Sequence, residues 1–139
     1  MKASAFIAAS AAIMLLLGFV HLLYTFRGMN LHPRDPDLTA RMTAVSPVIS
    51  SETTMWRTWI GFNATHSLGL ILFGAAFGYL ALCHSAFLFQ SRFLLALGFV
   101  SLLSYAVVAK LYFFSAPFRG VMAAAILYLL GIVFHMAWP

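Results

Sequence analysis

The sequence predicts an all-α integral membrane protein: an antiparallel up-down four-helix transmembrane bundle with a short amphipathic helix in the loop between spans 1 and 2. Three observations carry this. Of 139 residues, 63% are hydrophobic and 8% are charged, whereas a soluble domain carries roughly 25% charged residues. A core of this size cannot hide so much apolar surface, so the surroundings must themselves be apolar. Four segments each supply the ~20 mostly apolar residues that a membrane helix needs. The links between the last three are short, which forces antiparallel neighbours. The length allows one domain, residues 1–139.

The spans are expected over 3–26, 58–83, 86–114 and 117–138. The first has the look of a signal peptide, but its apolar run continues past Ala12 with no A-x-A site, so a retained span is expected. Spans two and three are separated by "HSAFLFQSRF", and three and four by "FSAPFRG". Pro117 suits the first turn of the fourth helix, where its missing N–H costs little.

Only the loop over 27–57 is long, and it holds all three acidic residues, Asp35, Asp37 and Glu52. Within it "RDPDLTARMTAVSP" reads as a helix: Asp35 as N-cap, Pro36 at N1, Asp37 at the positive helix end, and Ser46-Pro47 as the stop. Leu38, Met42 and Val45 would share one face. Such a helix would lie on the membrane surface or close the mouth of the bundle. Ser50 or Ser51 is the expected cap of the second span.

Counting Lys and Arg gives orientation. The face with both termini and the second link has Lys2 and Arg92; the other has Arg27, Arg34, Arg41, Arg57, Lys110 and Arg119. The positive-inside rule then puts the long loop in the cytoplasm and both termini outside. The formal charge of +5 calls for membrane lipids as partners rather than nucleic acid. Cys83, the single cysteine, reads as a small apolar residue near a helix end.

Each span should turn its small and polar residues towards its neighbours. At spacings of three and four, the first offers Ala11, Met14, Gly18, His21, Thr25 and Gly28, and the second Trp56, Trp59, Asn63, His66, Leu70 and Gly74. The third offers Gly98, Ser101, Tyr105, Val108 and Tyr112, and the fourth Ala124, Tyr128, Gly131, His135 and Trp138. "GAAFG", Gly74 to Gly78, permits close backbone approach within the chain or between chains.

Depth singles out a candidate site. His21 lies about 9 Å inside Arg27, Asn63 about 9 Å inside Arg57, and His66 about 13 Å inside it. Tyr105 lies about 15 Å from the end of its helix near Ser115. His21, Asn63, His66 and Tyr105 would converge on one pocket, with Tyr24 nearer water and Trp59 as wall of the entrance. Polar groups in hydrocarbon must be paired or wet. Thr65 and Ser67 need no such role, since each can bond its own helix backbone. Lys110 is expected to snorkel to the interface.

The chemistry open to these residues is narrow. No carboxylate lies within the spans, so a di-iron centre or carboxylate proton relay is excluded there. His66 and Ser67, adjacent on a helix, point apart and make no nucleophile–base pair. His21 and His66 could ligate a haem iron or begin a metal site. A His/Asn/Tyr pocket could equally bind the polar end of a small apolar or lipid-like ligand such as a quinone, with or without proton transfer. The remaining alternative is an accessory or homo-oligomeric membrane subunit whose polar residues only lock helices together.

"TTMWRTWIGFNATHSLG", together with "YFFSAPFRG" before the last span, resembles a family of small bacterial four-helix membrane proteins of unknown function. The resemblance covers nearly the whole chain and is most specific in its Trp-Gly-Phe-Asn-His stretch. It implies a bacterial inner membrane and assigns no activity to any residue.

Overall fold

The computed structural model describes residues 2–138, with Lys2 as backbone only. Six helices and no strand make up the described residues: α1 (Lys2–Phe26), α2 (Pro36–Ala44), α3 (Met55–Cys83), α4 (Ser85–Gln90), α5 (Arg92–Tyr112) and α6 (Ser115–Ala137). Of these, α1, α3, α5 and α6 are long and apolar enough to cross a membrane.

The chain divides into two compact units, one of residues up to Leu17 together with Leu70 onward, the other Gly18–Gly69. In the first, the core gathers Ile7, Met14, Leu88, Leu102, Ala124 and Tyr128, all fully buried. Small residues do much of the packing. Ala11 and Gly74 bring α1 and α3 so close that a Cβ on Gly74 would lie 2.6 Å from the Ala11 carbonyl oxygen. Gly98 leaves room for the Tyr128 ring against Phe77. Ser10, fully buried on α1, donates to the Ala124 carbonyl of α6 at 2.7 Å. The exposed side chains of the long helices are the greasy ones: Leu72, Phe93, Leu111 and Met136 are all exposed. An interior of small and hydrogen-bonded residues beneath an apolar exterior suits a helix packed in lipid.

Caps fix the helix ends. Asp35 accepts from Asp37 N–H at 2.9 Å with Pro36 next, as the sequence suggests, and α2 closes at Ala44 with Val45 N–H on the Arg41 carbonyl. Gly28, just beyond α1, takes φ +80, the left-handed conformation that ends many helices on glycine. The second unit is closed by Met55 N–H donating to the Val45 carbonyl at 2.9 Å.

Four expectations need correction. The third helix, expected over 86–114, is two helices. Ser91 is extended and its hydroxyl accepts from Leu94 N–H, so it caps α5 and stops α4. Helix α3 begins ahead of residue 58, at Met55, but its cap is Thr54 rather than Ser50 or Ser51: the Thr54 hydroxyl accepts from Arg57 N–H, whereas Ser50 accepts from Glu52 N–H in the preceding turn. Helix α6 starts at Ser115, two residues before Pro117. The buried stripe of α5 is Gly98, Leu102, Ala106 and Ala109. Val108 and Tyr112 on the expected stripe are exposed, and so is Trp138 on that of α6. Ser101 and Ser104 bond the carbonyls of Leu97 and Val100 on their own helix. A hydroxyl satisfied this way needs no neighbouring helix, so polarity misidentified the inward face of α5.

Candidate functional site

The second unit brings three of the predicted residues together. His21, near the C-terminal end of α1, and Asn63 and His66, one turn apart on α3, meet through their side chains. His21 Nε2 lies 3.0 Å from Asn63 Oδ1. The His21 and His66 rings stand edge to face, centroids 5.2 Å apart and planes at 82°. Asn63 is 9% exposed, and the two imidazoles are half-buried.

The network fixes a tautomer. Asn63 Nδ2 donates to the Trp59 carbonyl one turn back at 2.8 Å, so the amide oxygen is the atom that faces His21. An oxygen can only accept; His21 Nε2 therefore carries the hydrogen and donates it. In the neutral ring this leaves Nδ1 as the lone-pair acceptor. Among the described residues nothing hydrogen-bonds that nitrogen.

Neighbouring hydroxyls hold the two helix segments without entering the network. Thr25 donates to the His21 carbonyl and Ser67 to the Asn63 carbonyl, each at 2.8 Å. Thr65 bonds the Phe62 carbonyl, as expected for a hydroxyl with no further role. All three are local side-chain-to-backbone bonds within one helix. Among the described residues no buried side-chain nitrogen or oxygen lacks a partner.

Trp59 and Tyr24 lie in the same unit. The Trp59 indole N–H donates to the Leu31 carbonyl at 3.0 Å, and the ring, with Leu31, His32, Pro33 and Met42, lines a shallow surface cleft of ≈ 270 Å³. His32 in turn sits against Trp56, centroids 4.6 Å apart. No short-range pattern foretold this cleft, because its walls come from the loop, α2 and α3. Tyr24 is exposed. Tyr105 belongs to the first unit, where it is half-buried on α5. Lys110, also there, is exposed and lies 5.2 Å from the Phe118 ring centroid, a cation–π contact that explains its position without catalysis.

The geometry weighs on the chemistry. Axial imidazoles hold a haem iron between them, each nitrogen about 2 Å from the metal, as in other imidazole–metal bonds. Rings that touch edge to face leave no room for a porphyrin, and His21 Nε2 is already engaged by Asn63. No group of three or more His, Cys, Asp or Glu side chains placed to hold a metal ion occurs among the described residues. Asn63 has its oxygen committed to His21 and one of its two amide hydrogens to the Trp59 carbonyl.

Described residues that are all helix and loop, with four helices long and apolar enough to cross a membrane, define the class: an integral membrane protein, here with a histidine pair carried on two of those helices. Comparison with protein-family models, curated proteins and solved structures finds no match.

Proposed function

We propose that this is a membrane-embedded binding protein for a small apolar ligand whose polar end carries a hydrogen-bond donor, such as a quinol or an isoprenoid alcohol. One observation carries the reading: the His21–Asn63 bond presents His21 Nδ1 as an acceptor on a half-buried ring. A pure packing role needs the Nε2 bond alone. The second imidazole, His66, would flank the ligand's head, and Tyr24 would assist nearer its periphery. In lipid, an ionisable group at this depth is a functional candidate by default.

The surrounding architecture belongs to the same proposal. Short links favour antiparallel spans in an up-down bundle, and Leu38 and Met42, one turn apart on α2, with Val45 beyond its end, favour an amphipathic segment at the membrane surface. The six-to-two excess of basic residues favours a cytoplasmic long loop with both termini outside; a bacterial inner membrane is what the family resemblance implies.

The test is lipid and quinone content of the purified full-length chain by mass spectrometry, with affinity for ubiquinol measured in parallel. Asn63→Ala and His66→Ala should each lower both. Unchanged content and affinity in both variants would remove the binding site. A second reading is favoured by the buried side-chain nitrogens and oxygens of the described residues, every one of which has a partner. In it the chain is an accessory or self-associating subunit, and the same residues only lock helices. It predicts lowered thermal stability or assembly with no change in bound species.

A further inference from the structure

The loop between α1 and α3 ends in a turn whose apex is apolar. Val48 is 109% exposed and Ile49 93%, more than any other large apolar side chain among the described residues. Turn apices ordinarily carry Gly, Asn, Asp or Ser; adjacent Val and Ile there gain nothing from the rest of the chain. The turn is nonetheless well made. Ser50 N–H donates to the Pro47 carbonyl and Glu52 N–H to the Ser50 hydroxyl, both at 3.2 Å.

Its base is tied to a membrane-crossing helix. Met55, the first residue of α3, donates its N–H to the Val45 carbonyl. From Val45 the chain can reach Val48 over no more than about 10 Å, so the apex stays close to the level at which α3 begins. Arg41 lies one helical turn before that closure, and Arg57 lies just inside α3. Basic side chains commonly stand at head-group level. Leu38 and Val45 are also exposed, and no residue of α2 is buried.

We infer that Pro47–Ile49 is an interfacial anchor, inserted at the boundary between head groups and acyl chains of the bilayer that α3 crosses. The occupant of this apolar apex is thus the lipid surface itself. Apolar side chains supply the insertion, and the neighbouring arginines stay with the head groups. The long loop then grips the membrane at a point separate from the spans.

Spin labels on the full-length chain in vesicles of phosphatidylcholine with a minority of phosphatidylglycerol test this. Cys83→Ser removes the native thiol, and Val48→Cys, Ile49→Cys and, as an exposed reference on α2, Asp37→Cys each add one. Labels at 48 and 49 should collide more often with oxygen than with a water-soluble nickel chelate, and the order should reverse at 37. Adding Ile49→Asp to the Val48→Cys chain should shift the label at 48 towards the chelate. Labels at 48 and 49 that meet the chelate as freely as the one at 37 would overturn the anchor and leave the apex in water, open to a protein partner.

Discussion

Replacing Gly74 with alanine tests the packing of α1 against α3 more sharply than any other single change. The added Cβ would meet the Ala11 carbonyl oxygen and Leu15 Cγ at 2.6 Å and the Leu15 nitrogen at 2.8 Å, where ordinary contact begins at 3.4 Å. The two helix segments must therefore part by about 0.8 Å. Two of the three neighbours are backbone atoms, which no rotamer change can move. A gap of about 0.5–1 Å forfeits roughly a quarter to a half of each van der Waals attraction along the seam, and overpacking costs about 1–3 kcal/mol. Gly74→Ala should thus lose about 2 kcal/mol. Gly78, in the same GAAFG, is the control. A Cβ there meets only the Ala11 Cβ, at 3.5 Å, so Gly78→Ala should stay within about 0.5 kcal/mol of the parent. Reversible unfolding of the full chain in mixed micelles, followed by circular dichroism, reads both. The reasoning fails if Gly74→Ala is as stable as the parent, or if Gly78→Ala is the more damaging.

Gly98→Ala would drive a Cβ into the Tyr128 hydroxyl and to 2.8 Å from Phe77 Cε1. It should cost about 1–3 kcal/mol in the same assay, with part recovered by adding Tyr128→Phe, which removes the nearest atom. Tyr128→Phe alone gives up a long 3.4 Å bond to the Leu94 carbonyl and should cost no more than about 1 kcal/mol. Trp59→Phe deletes the donor to the Leu31 carbonyl; hydrogen exchange should quicken over residues 29–33 and stay unchanged through the middle of α3. Ser91→Ala removes the cap on Leu94 N–H and should cost about 1 kcal/mol, with faster exchange confined to the first turn of α5.

Much of the architecture was legible because lipid leaves a simple signature. Twenty apolar residues in succession announce a membrane-crossing helix whatever its neighbours, and Asp35-Pro36 announces the start of α2 because a side-chain acceptor and a preset φ act locally. What failed was decided by competition between local options. "HSAFLFQSRF" contains neither Gly nor Pro, so nothing in its hydropathy separates α4 from α5; the break rests on one serine hydroxyl finding Leu94 N–H. Thr54 took the cap of α3 from Ser50 and Ser51 because Ser50 was already engaged by Glu52. On α5, serines bonded to their own backbone mimicked an inward face. The meeting of His21, Asn63 and His66 was legible from depth and angle alone, since each lies on the stripe that faces a neighbour. The place of Trp59 was not, for its partner Leu31 is 28 residues away in an irregular loop.

Everything proposed for the site rests on the orientation of one imidazole. Nitrogen-15 NMR of the protein in lipid, with the His21 signals assigned by their loss in His21→Gln, reads it directly. For the neutral form of the ring, the hydrogen is expected on Nε2 with Nδ1 bare, becoming a mixture of tautomers in Asn63→Ala. A ring protonated at Nδ1, or signals indifferent to Asn63→Ala, would contradict it.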